Sequence, residues 1–413
     1  MKGKIILLIL ILVLQLDFLN LSIIPFSTID NGVKLIQWLL LFIGVGGTIL
    51  LHKTTKFDSF FIIIGISLIV NFISSSYFRN QDVLISLKTS LFLIQIYFYY
   101  FLVAYRASIK SVEKIIVLFS IALFILFVAQ YYLYPIKIFN SDVNVSINSE
   151  DLVRWTFYGQ GFMSLGLLFS INKFNEKKEV KFLFLAILLS FYFLLQGSRS
   201  IMIAIIIAIM FLLYKNEYFK VTVKNFVSLL LIVLCGIAII NIPKVNKVIN
   251  YTINRTIEDQ NSKESYVRFV QLDYFLNAHA KNNIEFILGS GLPGDTEYGR
   301  RMNSMADASV NVTPINWVDL GFIGLAIIVG FSFSMSLLYI LIKESVRRKI
   351  NPKYYYIQCW YVYLIFATIF YPTAFIGGNM IIIALTLYIL NKENNIRKIK
   401  RNYYEAFNYY SRL

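Results

Sequence analysis

A chain of 413 residues that is 58% hydrophobic and only 15% charged is not a water-soluble globular protein; such proteins carry roughly a quarter of their residues as charges. The formal net charge of +16 does not point to nucleic acid, because no basic stripe with interleaved aromatics occurs on a soluble domain. The reading that fits is an integral membrane protein, whose cations gather in the short loops on one side of the bilayer.

The chain starts with Met1-Lys2-Gly3-Lys4 and an apolar run from Ile5, as a signal peptide does. The run continues past Asp17 to about Ile24 with no small-x-small cleavage site, so an uncleaved first helix is expected. A membrane-spanning helix needs about 20 apolar residues. Twelve candidates follow in order: 5–24, 33–51, 58–76, 83–105, 113–134, 155–172, 181–195, 199–214, 222–242, 314–342, 354–371 and 376–391. The seventh and eighth are short and barely separated by Gln196-Gly197-Ser198. The expected fold class is an all-α polytopic membrane protein of about 12 transmembrane helices, with residues 1–413 as one integral membrane domain.

With the N-terminus in the cytoplasm, 25 of the 39 cations fall on inner segments, six on short outer segments and eight in the stretch 243–313. Every inner segment then obeys the positive-inside rule. Both termini are expected in the cytoplasm of a bacterial cell, and 243–313 becomes a large extracytoplasmic loop within the membrane domain. Cys235 and Cys359 both lie in apolar runs and read as small core residues. His52 and His279 are too few for a histidine-built metal site, so no metal is expected.

The long outer segment is the one extended polar stretch. From Glu264 to Asn277 it is too polar to span and suits an interfacial helix, with Tyr266, Phe269, Val270 and Tyr274 at helical spacing. Gly289-Ser290-Gly291-Leu292-Pro293-Gly294 matches a dinucleotide fingerprint, but the fingerprint requires a βαβ unit that is not predicted here. It reads instead as a sharp turn that returns the chain to the membrane.

Three arginines are placed at the outer face. Arg199 follows Ser198 at the start of a helix, Arg154 precedes the sixth span, and Arg268 lies on the interfacial helix. An arginine at membrane depth costs about 2.5–3.5 kcal/mol on insertion scales, so it usually faces a cavity or partner. Its planar fork suits phosphate and diphosphate oxygens, and three such groups near one face are able to stabilise a departing diphosphate.

Gly197-Ser198-Arg199-Ser200, Arg154-Trp155-Thr156-Phe157-Tyr158-Gly159, Arg268 followed by Gly289-Ser290-Gly291, and Leu320-Gly321-Phe322-Ile323-Gly324 occur in that topological arrangement over about 155–330. In this the chain resembles the O-antigen polymerase and ligase superfamily of bacterial membrane glycosyltransferases. The resemblance implies an all-helical fold in the cytoplasmic (inner) membrane. It also implies transfer of a glycan from undecaprenyl diphosphate to an acceptor sugar on the outer face, with no cofactor. Carried over by position, Arg199 and Arg268 would hold the diphosphate; Arg154, Ser198, His279, Gly289 and Gly291 complete the substrate-binding set. Ligase-type members place a His-Asn pair where this chain has Val310-Asn311, which favours a polymerase of capsule, exopolysaccharide or O-antigen repeat units. The acceptor-activating base is left open among Asp307, Asp273 and His279. The partners implied are donor and acceptor glycans on undecaprenyl diphosphate, membrane lipid and a protein that regulates chain length. Two other classes compete: a transporter or flippase for lipid-linked sugars, disfavoured here by the absence of detectable repeats between halves and the paucity of charges or broken helices at mid-membrane, and a glycosyltransferase using a lipid monophosphate donor.

Overall fold

The computed structural model describes residues 2–22, 26–51, 54–133, 136–139, 146–147, 153–154, 157–196, 198–216, 267–306, 315–369 and 371–410. The helices before the long polar segment are α1 (Lys2–Gln15), α2 (Phe26–Leu50), α3 (Asp58–Arg79), α4 (Val83–Thr89), α5 (Leu91–Ile94), α6 (Phe98–Tyr105), α7 (Ile109–Leu133), α8 (Gly161–Lys177), α9 (Val180–Gln196) and α10 (Arg199–Lys215). After it come α11 (Val267–Asn277), α12 (Asn283–Leu288), α13 (Glu297–Ala306), α14 (Gly321–Val329), α15 (Phe331–Ser345), α16 (Tyr355–Thr368) and α17 (Asn379–Tyr410). Two short strands, β1 (Ser146–Ile147) and β2 (Val153–Arg154), form an antiparallel pair with Ser146 opposite Arg154.

Among the described residues, three helical segments are long and apolar enough to cross a membrane: Gly32–Leu50, Asp58–Arg79 and Ile109–Leu133. A fourth follows if α4 and the run Leu91–Tyr105, bent by 58°, are one span. The candidate span 222–242 lies outside the described residues. In α3 the residue pattern explains both faces. Phe60, Ile64, Leu68 and Phe72 point into the bundle and are buried, while Ile62, Ile66, Ile69 and Ile73 cover the outward face. A helix apolar all round suits a bilayer rather than water. The interior is filled by large rings, Trp360, Tyr356, Tyr361 and Phe162 among them, all fully buried. Cys359 is a free, buried thiol, as its apolar surroundings predict.

The bundle has two distinguishable ends. At one, Lys56 Nζ meets Glu344 Oε1 at 2.5 Å, Arg347 reaches Glu344 at 3.2 Å and Glu393 at 4.0 Å, and Asn172 donates to the carbonyl of Lys353 at 3.0 Å. Lys215 Nζ stands 5.6 Å over the Tyr355 ring at the same end. The starts of α3, α16 and the ends of α8, α10, α15 therefore meet there. The opposite end, where α3 finishes, is called here the Arg79 end. It holds the starts of α8, α10, α14 and α17 and the finish of α16: Gly321 abuts the Thr368 carbonyl, and Gly161 abuts the Asn379 side chain.

Several expected spans are interrupted. The first ends at Gln15, and Phe18 and Leu19 adopt left-handed backbone in the turn Asp17–Asn20. Gln37, across on α2, donates to the Leu14 carbonyl (2.8 Å) and to Asp17 Oδ1 (2.5 Å), satisfying groups that the break releases. The sixth starts at Gly161 rather than 155, because Tyr158–Gln160 form a turn and Gly159 donates to the Gly377 carbonyl at 2.6 Å. The expected span 314–342 is divided by Gly330 into α14 and α15. The last helix runs beyond 391 to Tyr410.

The break at Gly330 is the one that positions the site. Opposite it, α3 presents Asn71, whose amide donates to the carbonyls of Ile328 (3.0 Å) and Leu288 (3.2 Å). The Gly-Ser-Gly segment lies in the gap. Ser290 N–H donates to the Ile327 carbonyl (3.1 Å), Gly291 N–H to the Ile328 carbonyl (2.8 Å), and Ser74 Oγ to the Gly289 carbonyl (2.6 Å). Carbonyls freed at the helix break thus find donors from another part of the chain, as non-helical backbone in an apolar bundle requires. The segment 289–294, expected as a sharp turn returning the chain to the membrane, has Gly289 and Gly291 at positive φ and forms a strap running along the last two turns of α3. Gln81 holds its far end, donating to the Leu292 carbonyl (2.8 Å) and accepting from Gly294 N–H (3.1 Å). Gly289 has φ +89, and a methyl there would meet Asn71 Nδ2 and Gly330 N at 2.5 Å.

Gly289→Ala is therefore expected to destabilise the protein by at least about 1–3 kcal/mol from backbone strain alone. The check is thermal unfolding in detergent beside Gly46→Ala, where an added methyl meets nothing within 4 Å. Equal melting temperatures for the two variants would contradict the strap.

Candidate functional site

At the Arg79 end α3, α11, the segment 278–281 and α13 form a pocket of about 150 Å³ lined by Arg79, Tyr274, His279, Lys281, Tyr298 and Arg301, with Ala278, Ala280, Met302 and Met305. Its chemistry starts with Arg79. Asn80, in left-handed conformation, ends α3 by returning its N–H to the Ser75 carbonyl, which leaves Arg79 at the last helical position. The Arg79 guanidinium ion-pairs through Nε with Glu285, donates through Nη2 to the His279 carbonyl (2.5 Å) and lies 5.1 Å over the Tyr298 ring. Glu285, on α12, is fully buried and also accepts from Lys281 N–H at 2.6 Å. Its place is set by Asn282, whose side chain caps α12 by accepting from Glu285 N–H at 2.9 Å.

A buried polar chain continues from there. His279 Nε2 shares a 2.8 Å hydrogen bond with Ser290 Oγ, which lies 3.1 Å from Tyr298 Oη. Tyr298 Oη donates to the Gly291 carbonyl at 3.1 Å. Burial, reinforced by the positive charges of Arg79 and Arg301, lowers the His279 pKa to about 3. The imidazole is thus neutral at physiological pH. Burial raises the Tyr298 phenol to about 12. The hydroxyl of Ser290 ties the strap to the pocket floor.

The other sequence candidates are distributed as follows. Arg199 begins α10, with Ser198 in extended conformation before it. Arg268 is on α11, which docks on the turn Trp317–Leu320 through Gln271: its amide lies 3.4 Å from Asp319 Oδ2. Arg268 acts electrostatically on the same Asp319 carboxylate. Because α10 and α16 run antiparallel and Gly321 abuts the end of α16, Arg199, Arg268 and Arg79 all stand at the Arg79 end. Arg199 and Arg268 are not among the residues lining the 150 Å³ pocket. Arg154 is in β2, three residues before Phe157, which stacks on Phe139 at 4.7 Å. Asp273 is exposed on α11 and accepts from Asn277 at 2.7 Å. Asp307 lies outside the described residues. His279, Gly289 and Gly291 are brought together by the strap.

On α11 the buried side differs from the sequence pattern. Gln271 and Phe275 are fully buried, while Phe269 is exposed. The hydrogen bond from Gln271 to Asp319 accounts for a polar inward residue. Sequence reasoning also missed Arg79, Glu285, Lys281 and Arg301. Arg79 carried the same signal as Arg199, an arginine at the end of an apolar helix. Glu285 lies 206 positions away from it and gave no sign of the pairing.

No protein-family model matches the chain, and no curated protein matches it either.

Two outcomes follow from the buried pair and the histidine. Glu285→Gln leaves the Arg79 charge buried without its partner and is expected to cost about 3–5 kcal/mol, part of which is recovered in the double variant with Arg79→Gln. Additive losses in the thermal-unfolding cycle would show that the two side chains do not interact. For His279, the folded value of about 3 lies below the ordinary 6.5. Between those values the unfolded chain binds a proton that the folded chain does not, so stability is full above pH 6.5 and falls as the pH drops toward 3. His279→Gln should flatten part of the melting-temperature slope across that window.

Proposed function

We propose that this protein is a polymerase of lipid-linked glycans, joining oligosaccharide repeat units carried on undecaprenyl diphosphate at the outer face of a bacterial cytoplasmic membrane. The observation that carries the reading is the gathering of arginines at one end of an apolar helical bundle: Arg199 opening α10, Arg268 on α11 and Arg79 closing α3. In this reading the Arg79 end faces outward, the chain has about twelve spans, and 243–313 is the large extracytoplasmic loop. The positive-inside count supports that orientation.

Chemically, a hydroxyl of the acceptor glycan attacks the anomeric carbon of the donor sugar, and the bond from that carbon to the diphosphate oxygen breaks. Arg199 and Arg268 stabilise the negative charge gathering on the leaving diphosphate. The proton of the hydroxyl passes to a base that remains unassigned. His279 is poorly suited, since its lone pair is held in a buried, positively charged environment. Asp273 is directed toward Asn277 on the exposed side of its helix.

One feature favours a second reading. Broken helices inside the bundle, at Gly330 and at the 58° bend after α4, are the devices with which transporters build midplane sites. Their presence weakens one ground on which the sequence disfavoured a lipid-linked oligosaccharide flippase, and that reading is kept as the alternative.

Arg199→Ala and Arg268→Ala are each expected to reduce polymer by at least about a hundredfold, the scale of a lost charge-stabilising donor. Protein level and lipid-linked monomer should be spared. Normal-length polymer from both variants would dismiss the polymerase, and loss of substrate on the outer leaflet would favour the flippase.

A further inference from the structure

The geometry points to the pocket between α3, α11 and α13 as a binding site for a phosphate group, separate from Arg199 and Arg268. Three cations line it, Arg79, Lys281 and Arg301. One carboxylate, Glu285, balances them, which leaves two positive charges in excess. Glu285 is also spent: it is fully buried, ion-paired to Arg79 Nε and bonded to Lys281 N–H. A phosphate ester carries about −1.5 to −2 at neutral pH, which matches that excess.

The donors have the right chemistry. Arg79 uses Nε for Glu285 and Nη2 for the His279 carbonyl. Its Nη1 has no partner among the described residues. The Arg301 guanidinium forms no hydrogen bond or ion pair among the described residues, yet it acts on His279 from across the pocket. Two guanidinium groups lining one cavity are the groups best suited to bind phosphate oxygens in pairs. The Glu285 pair and the Tyr298 ring fix Arg79 in place, so its donors are oriented before a ligand arrives. The neutral His279 and Tyr298 add polar walls without repelling an anion. At roughly 30 Å³ per water in liquid, a cavity of about 150 Å³ has room for a phosphate or diphosphate.

The phosphate has two sources, a free anion or the headgroup of a lipid. The exposed Ile284 and Ile287 of α12 continue the outward apolar surface of α3 and α15, with Phe286 5.6 Å from Phe331. An apolar surface on α12, which follows the lining segment 278–281, is therefore accessible to acyl chains, and the lipid source is the one expected. That the lipid is a second glycan carrier rests on the polymerase reading; the anion site itself does not.

The test uses the full-length protein in phosphatidylcholine nanodiscs and calorimetry with inorganic diphosphate. Wild type is expected to bind, and Arg301→Gln to weaken binding by about tenfold or more, the loss of one charged hydrogen bond. Arg300→Gln removes the same charge from an exposed site one residue away, outside the pocket lining, and should bind as wild type does. The double variant Arg79→Gln/Glu285→Gln, with folding confirmed by thermal unfolding, should lose binding although the net charge is unchanged. Polyprenyl phosphate incorporated in the discs should displace diphosphate if the source is lipid; undiminished diphosphate binding would assign the site to a free anion. No binding of either probe, or equal losses in Arg300→Gln and Arg301→Gln, would overturn the proposal. Polymer formation is not read, so normal polymer from both Arg199→Ala and Arg268→Ala would refute the polymerase and leave this result standing.

Discussion

A peptide group that leaves a helix inside an apolar bundle must find another partner, and most of what is distinctive about this fold follows from that requirement at Gly330. The carbonyls of Ile327 and Ile328 are satisfied by the N–H groups of Ser290 and Gly291 and by the Asn71 amide. The donors thus come from a loop segment and from a helix more than 250 positions earlier. This one arrangement brings the polar segment down beside α3, fixes the height of Ser290, and through the Ser290 hydroxyl sets His279 in the floor of the pocket. A buried unsatisfied backbone group costs several kcal/mol in hydrocarbon, so the strap and the break stabilise each other.

The pocket adds charge to this scaffold. Arg79 is placed by the end of a long apolar helix, and Glu285 by a short capped helix that the strap holds against it. A buried ion pair contributes little net stability, because desolvation offsets most of the attraction. Its value here is positional: it aims one guanidinium edge into the cavity while neutralising only part of the local charge. The contrast with the Lys56 end is informative. There Glu344 and Glu393 are shared among Lys56, Arg347 and Arg397, two carboxylates for three cations, whereas the pocket sets one carboxylate against three.

Much of the helical scaffold was legible in the sequence, because uninterrupted apolar runs such as 58–76 and 113–134 leave few alternatives. The breaks were not. Gly330 sits in a run of Ile, Val, Phe and Ser that reads as continuous, and the donors that permit the break are remote in sequence. The Gly-Ser-Gly segment was recognised as exceptional, and its glycines combine positive φ with a close approach to Asn71 and Ser75 that the sequence did not show. Of the residues singled out from local context, His279 lines the pocket, while Arg199 and Arg268 stand at the same end outside its lining. Arg79 and Arg301 were missed because each looks like an ordinary interfacial or loop cation until the fold sets them around one cavity. Gln271 and Asp319 illustrate the same limit: pairing across 48 positions turns a polar interruption into an inward contact.

The strap also has a consequence for how the chain is made. Its two flanking walls are synthesised on opposite sides of it: α3 some 200 residues earlier, α14 and α15 just after. Residues 289–291 complete their hydrogen bonds only when both walls exist, and the strap is made before α14 and α15. Until that helix pair is synthesised, the N–H groups of Ser290 and Gly291 lack the carbonyls they bond in the finished fold. Assembly of this part of the chain therefore ends on a late step that joins α3, the strap and the broken helix pair at once.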